Sequence, residues 1–444
     1  MREFSTFYSE FQLRGRGSVW HPCTIMKQHE SYPLIPIERG QGIWLYDASG
    51  NRYLDAISSW WVNLFGHCNP DINAALRDQL EKLEHVMLAG FTHEAAVELS
   101  EKLTNLTPGS LGHCFYASDG ASATEIALKM SFHYWQLCGK AEKNQFISLQ
   151  NGYHGETLGA LSVTDVAIFK QIYAPILHQY KTMPTPDWRY AEAGESHQDY
   201  ALRAVHALEN YLAQHHATTA AFILEPLIQG AAGMGMYHPI YLQRAREICS
   251  RYQVHFIADE IAVGFGRTGT FFACEQANIA PDFLCLAKGL SGGYLPLSVT
   301  MTTDEIYEVF YHEKSSRTFL HSHSHTGNAL ACRAALATLD LFEQNAVIQT
   351  NRDKTDYLNK TTLPLATHPK VKNFRNCGMI WAFEFETEDP EFSIKCFQAA
   401  LKQQLLLRPL DKTVYFMPPY IINQQEMNLL VNGTLKVLDE WSES

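Results

Sequence analysis

Four short stretches of this 444-residue chain carry side chains whose types and spacing suit chemistry. Lys288 closes the apolar run "FLCLAK" (283–288) and is followed at once by Gly289. Desolvation at a strand end depresses a lysine pKa and favours the neutral amine, the form that attacks carbonyl carbon. A lone lysine there equally suits a strand end that lets its ammonium snorkel to water. The run "VHFIADE" (254–260) ends in Asp259 and Glu260, which strand alternation sends to opposite faces. Only one of them can address a given ligand. An aspartate about 3 Å from a protonated pyridine nitrogen would gain on the order of 5 kcal/mol at an effective dielectric of 20. "FYASDGASATEIALKM" (115–130) reads strand, small-residue turn, helix. The N–H groups of Gly120 and Ala121, at a helix N-terminus, can hold a phosphate without a basic side chain. "NGYHGET" (151–157) sets Tyr153 and His154 in a glycine-flanked turn, where the tyrosine either stacks on a flat heterocycle or plugs the core. A Schiff-base lysine, a pyridinium partner, a phosphate cradle and a stacking ring are together the needs of pyridoxal 5′-phosphate (PLP).

Three other motifs compete. "HSHSHTGNALA" (321–331) places His321, His323 and His325 at every second position. On an extended strand the three imidazoles would share one side, as a zinc ion requires. A metal needs the three rings to converge. "GFGRTG" (264–269) satisfies G-x-G-x-x-G, but "TGTFFACEQ" follows where a dinucleotide fingerprint requires a helix. "GLSGG" (289–293) satisfies G-x-S-x-G, but a proline and a β-branched run follow where a nucleophile elbow needs a helix. A serine hydrolase using Ser291 and a metal-binding protein without catalysis are the readings these motifs offer from other classes.

The reactive residues need a scaffold, and the chain alternates helix-like with strand-like pieces. "PDINAALRDQLEKLEHVML" (70–88) and "EIALKMSFHYWQL" (125–137) have helical spacing, which predicts helices there. "AAFILEP" (220–226), "VHFIADE", "FLCLAK" and "LSVTMTT" (297–303) are apolar runs of strand length. Such runs between helices imply an α/β sheet covered on both faces. From about residue 334 the order becomes helix, strand, helix, strands, helix, which implies a smaller α+β lobe. A hairpin over 42–55, turning at Ser49-Gly50-Asn51, is expected to join that lobe from the other end of the chain. The expected division is a segment 1–60 contributing to the small domain, a large domain 61–333 and the small domain 334–444.

Composition narrows the partners. Hydrophobic content of 46% and charged content of 18% describe an ordinary globular protein. With 35 basic and 47 acidic side chains the formal net charge is −12, and no basic stripe marks a nucleic-acid surface. No apolar run approaches a bilayer span, so no membrane partner is expected. The start, "MREFSTFYSEFQLRGRG", lacks the apolar core of a secretory leader. Ten cysteines without a C-x-x-C pair read as reduced thiols of a cytoplasmic protein.

From about residue 20 to its end the chain resembles the class III, fold-type I PLP-dependent aminotransferases. "ADEIAVGFGRTGTFFACE", "PDFLCLAKGLSGG" and "TGNALACRAA" look like that family's signature segments. "WHPCTIM", "SSWWVNLFGH", "NGYHGET", "MYHP" and "RPLDKTVYFMPPYII" resemble its biotin-synthesis branch, which converts 8-amino-7-oxononanoate to 7,8-diaminononanoate. The resemblance implies a large domain with a mainly parallel seven-stranded sheet sandwiched by helices, plus a smaller α+β domain. It implies that Lys288 carries PLP as a Schiff base and then moves the proton as general acid–base through two ping-pong half-reactions. It also implies that Asp259 keeps the pyridine nitrogen protonated, that Tyr153 flanks cofactor and substrate, and that Gly120-Ala121 hold the phosphate. Glu225, in "ILEPLIQG", either supports the site or makes a structural salt bridge. In relatives the histidine stretch crosses a homodimer interface. Here Ser324, with His323 beside it, would reach the phosphate of the partner subunit's cofactor, and Ser322 would lie near substrate.

By the same resemblance, Arg408 in "LLLRPL" clamps the substrate carboxylate. Trp60, with Trp61 beside it, walls an alkyl chain of about five methylenes, each worth roughly 0.8 kcal/mol on burial. Cys23 stands where this branch usually has a substrate-recognising tyrosine, and Ala121 where a serine hydroxyl often touches phosphate. S-adenosylmethionine is the implied amino donor and lysine the alternative. Within the family, the competing reading is an ω-aminotransferase for another amine or a diamine.

Overall fold

The structure, a computed structural model, describes residues 12–32 and 34–441. Most of the stretch read for a leader therefore lies outside the described residues. The main sheet has seven strands in the order His113–Ala117, Ser298–Thr302, Phe283–Leu286, His255–Asp259, Thr219–Leu224, Gln145–Leu149, Lys181–Met183. Ser298–Thr302 runs antiparallel to both of its neighbours, and the remaining pairings are parallel. The exception has a local cause. Residues 287–297 hold only the short 3-10 turn Lys288–Ser291 and no helix, too little chain for a parallel crossover.

Alternation along the strands shows why both faces must be covered. Ile223, Ile257, Phe283 and Cys285 pack into one apolar cluster with Ala123, Ile126, Ala127 and Met130 of the helix Gly120–Leu137. Phe222, Leu224, Phe256, Ala258, Leu284 and Leu286 point the other way, into a second cluster that includes Leu208, Leu242 and Phe272. Each fully buried Phe or Leu contributes roughly 1.5–3 kcal/mol, so the sheet is held from both sides.

At the other end of the fold, Trp44–Asp47 and Arg52–Asp55 form the hairpin, with Asp47 Oδ1 accepting hydrogen bonds from the Ser49 and Asn51 amides at 2.9 Å each. Ile37–Gln41 adds on one side and Leu405–Leu406 on the other, with Leu405 opposite Leu54. The two ends of the chain thus share one four-stranded sheet. Val371–Cys377, Ile380–Phe385 and Thr413–Phe416 form a second, antiparallel sheet nearby in the chain.

Two local expectations need correction. The helix expected over 70–88 is Pro70–Leu80. Gln79 accepts from the Lys82 and Leu83 amides and donates its side-chain amide to the Leu83 carbonyl at 2.7 Å, which ends the helix. Beyond it, the Glu84 carbonyl accepts from Asn328 and His85 pairs with the Ser324 carbonyl, so tertiary bonds replace helical ones. Lys288 does not close the strand, which ends at Leu286. It opens the following turn with a left-handed φ of 43°.

Candidate active site

A cavity of about 580 Å³ opens where the sheet strands end, lined by residues just beyond Ala117, Leu149, Leu224, Asp259 and Leu286. Ligands collect there in open α/β sheets because strand ends and helix N-termini converge on one crevice. Lys288 points into it, with Nζ 4.8 Å from the centre of the Trp61 ring. Burial lowers its pKa from the ordinary lysine value, and the Asp259 and Glu225 carboxylates oppose that shift. The left-handed backbone that aims this side chain comes with a glycine-rich turn, and Gly293 approaches Asn63 so closely that a Cβ would meet its backbone at 3.0 Å.

Asp259 faces the cavity and is buried. Its Oδ2 lies 2.7 Å from His154 Nδ1, and its Oδ1 accepts from the Ile261 amide at 3.1 Å. Glu260, on the opposite face as alternation predicts, is fully buried and accepts from the Ala273 and Cys274 amides at 2.7 and 2.8 Å. Burial pushes its pKa up to about 7. One acid of the pair faces the cavity and the other anchors a loop. Glu225 makes no salt bridge among the described residues. It accepts from the Tyr153 and Gly230 amides at 2.9 Å each, and burial raises its pKa to about 7.

The helix Gly120–Leu137 starts at the cavity floor. Asp119 caps it by accepting from the Ser122 amide at 2.9 Å, which leaves the Gly120 and Ala121 amides without acceptors among the described residues. Tyr153 lines the wall, donates its hydroxyl to Glu156 at 2.9 Å and packs on Phe169. These groups fit PLP: an amine, a buried carboxylate held by an imidazole, an aromatic ring and unpartnered helix-terminal amides surround one cavity.

The tryptophans divide differently from expectation. Trp61 is the buried wall and donates its indole N–H to Tyr415 at 3.0 Å, whereas Trp60 is 42% exposed and absent from the cavity lining. Both have positive φ, 73° and 74°, so no regular helix or strand turns one of them predictably inward. Trp60 instead carries the Arg408 guanidinium, 4.7 Å above its ring, and Arg408 donates to the Cys23 carbonyl at 3.0 Å. Cys23, Trp60 and Arg408 thus form one group beside Trp61 and Tyr415, and the Arg408 charge acts on the Tyr415 phenol.

The chain turns from Ser324 onward, so the His321 and His323 rings stay 5.5 Å apart while His325 turns away from both. His321 accepts from Lys129, His323 Nδ1 lies 3.4 Å from Ser118 Oγ beside the helix terminus, and His325 packs on His85 at 4.8 Å. Ser322 and Ser324 are exposed and stand outside the cavity of their own chain. In "GFGRTG" the buried Arg267 donates to the Pro418 and Asn63 carbonyls, and only the short 3-10 helix Ala273–Ala277 follows, not an α-helix opened by the glycines. Ser291 donates to the Leu295 carbonyl at 2.6 Å within a turn, so its hydroxyl is committed.

Residue types alone do not mark His154 as the partner of Asp259. The adjacency of Tyr153 and His154 in one turn is its only signal.

The class-III aminotransferase family model matches residues 25–438. The adenosylmethionine-8-amino-7-oxononanoate aminotransferase of Helicobacter pylori is 47% identical over 430 residues, 95% of this chain and 96% of that protein. The protein of the same name from Geobacter sulfurreducens is 37% identical over 432 residues, 95% of each chain. Among crystal structures, the aminotransferase of that name from Methanocaldococcus jannaschii superposes with a TM-score of 0.91 at 35% identity, covering 97% of this chain and 99% of that one. The omega transaminase of Pseudomonas jessenii in complex with PMP gives 0.93 at 28% identity, with 97% and 98% covered. Matched over nearly its whole length, the chain belongs to the class-III aminotransferases and is a PLP-dependent transaminase.

Proposed function

We propose that the protein transfers an amino group to 8-amino-7-oxononanoate, giving 7,8-diaminononanoate for biotin synthesis, with S-adenosylmethionine as donor and lysine as the alternative. The H. pylori relative at 47% identity, named for this reaction, supports the substrate. The carrying observation in the structure is that Lys288, the Asp259–His154 pair and the unpartnered Gly120 and Ala121 amides face one cavity.

Bound PLP supplies an electrophilic carbon for the amine and an electron sink for the proton transfer. Lys288 would hold the cofactor, and its amine, whose ammonium form burial disfavours, would take and return the proton at the reacting carbon once the incoming amine had replaced it. Asp259, oriented by His154, would face the pyridine nitrogen. Gly120 and Ala121 present their amides to the phosphate, and Tyr153 flanks the ring. Because Ala121 has no hydroxyl, only its backbone donates there. Trp61 walls the reacting centre against water, while Arg408 and Trp60 receive the carboxylate end of the substrate, with Cys23 at the rim. Arg408 has no carboxylate partner among the described residues, so although one nitrogen donates to the Cys23 carbonyl, no protein carboxylate competes for that role.

The reading extends to a cytoplasmic homodimer with shared sites, in which Ser322, His323 and Ser324 serve the neighbouring subunit. The exposure of both serines and ten unpaired thiols support it. Among the described residues no helix is long and apolar enough to cross a membrane. The division into 1–60, 61–333 and 334–444 belongs to the same proposal, with the helix Ala329–Gln344 spanning the last boundary.

The deciding assay supplies 8-amino-7-oxononanoate with S-adenosylmethionine or lysine in separate reactions and follows 7,8-diaminononanoate. Product with one donor is expected. No product with either, alongside turnover of simple amines, overturns the assignment in favour of an ω-aminotransferase, the reading supported by the P. jessenii neighbour.

A further inference from the structure

On the helix Gly120–Leu137, residues Ala121 and Glu125 stand four apart and share one face. That face receives the segment following Tyr153. Gly155 has φ 120°, and a Cβ there would stand 2.4 Å from the Ala121 Cβ. One turn further along, a single Glu125 oxygen accepts three hydrogen bonds, from Thr157 Oγ1 at 2.6 Å, the Gly159 amide at 2.8 Å and the Ala160 amide at 3.0 Å. A Cβ on Gly159 would meet Glu125 Oε2 at 2.2 Å.

These contacts replace an ordinary cap. Thr157 occupies the N-cap of the helix Leu158–Val163, yet its hydroxyl donates to Glu125 instead of capping its own helix. Six residues make a helix too short to hold itself. Its far end nevertheless matters to the site, because Thr164 Oγ1 accepts from the His154 amide at 2.9 Å.

We propose that Glu125 is a positioning residue of the transaminase. It clamps the Leu158–Val163 helix, and with it the Tyr153–Glu156 turn, to the helix whose N-terminus forms the phosphate cradle. The clamp sets the spacing between the ring that flanks PLP and the amides that hold its phosphate. This inference rests on the assignment of Gly120, Ala121 and Tyr153 to PLP made above.

The test uses the holoenzyme and its Glu125→Ala, Glu125→Gln and Lys288→Ala variants. PLP loss on dialysis, thermal midpoint, kcat and KM are measured for each. Glu125→Ala is expected to release PLP about tenfold faster, the loss of charge-assisted hydrogen bonds. Glu125→Gln, which keeps an acceptor oxygen without the charge, falls between it and the wild type. If Glu125→Ala does not fold, Glu125→Gln and Thr157→Val carry the test, each with a smaller, roughly two- to threefold effect. A lowered midpoint with wild-type PLP retention and wild-type kcat and KM overturns the positioning role and leaves the site assignment standing. A wild-type enzyme without a cofactor absorption band that Lys288→Ala abolishes overturns the site assignment itself.

Discussion

His154 Nδ1 and Asp259 Oδ2 lie 2.7 Å apart, both side chains buried, at the point where the sheet meets the cavity. The imidazole fixes the carboxylate's orientation, and the Ile261 amide at 3.1 Å holds its other oxygen. His154→Phe preserves the volume and removes the bond. We expect kcat to fall about 10- to 100-fold, the usual cost of losing a group that orients a reactive one. Steady-state kinetics at saturating PLP checks this, and an unchanged kcat would remove the pair from the mechanism.

Arg408 lies 4.7 Å over the Trp60 ring with its fork free of carboxylates among the described residues. Losing a charged hydrogen bond of about 1.5–3 kcal/mol predicts that Arg408→Ala raises KM for 8-amino-7-oxononanoate about 10- to 100-fold while kcat changes little. The same variant should treat a substrate analogue without the carboxylate as the wild type does. Equal losses for both substrates would assign Arg408 a structural role.

Gly155 has φ 120°, and a Cβ added there would stand 2.4 Å from the Ala121 Cβ. A methyl group there costs about 1–3 kcal/mol in backbone strain, before the clash is counted. Gly155→Ala should lower the thermal midpoint and weaken PLP retention together. Differential scanning calorimetry with and without added PLP distinguishes this from a purely global effect, which PLP would offset equally in both proteins.

His255 sits buried against Trp135, ring centres 4.5 Å apart, with Nδ1 2.8 Å from Ser131 Oγ. Burial lowers its pKa to about 3, from 6.5. A depressed pKa means that its contribution to stability is full above pH 6.5 and is lost as the pH falls from 6.5 towards 3. The slope there approaches about 1.4 kcal/mol per pH unit. His255→Phe should flatten that limb of the thermal midpoint against pH and leave the profile above pH 7 parallel to the wild type. An unchanged acid limb would exclude His255 as its source.

Part of the site is legible in the chain because it is local. Asp259 and Glu260 separate by strand alternation, and the small-residue turn at Gly120-Ala121 announces a helix start within a few residues. The inward tryptophan was not legible, since Trp60 and Trp61 share a left-handed backbone that follows neither period. Glu125 reads as one more polar residue on a helix, and only the returning segment 157–160 gives its carboxylate a task.

By itself the sequence determined the α/β class, the covered sheet, the lysine and the acid beside it, because periods of 2 and 3.6 and turn chemistry act over a few residues. Tertiary structure decided which groups meet. His154 reaches Asp259 across 105 positions, Arg408 reaches Cys23 across 385, and His323 reaches Ser118 across 205. Contacts at such separations depend on strand order and on the direction each turn takes, and no local pattern encodes either.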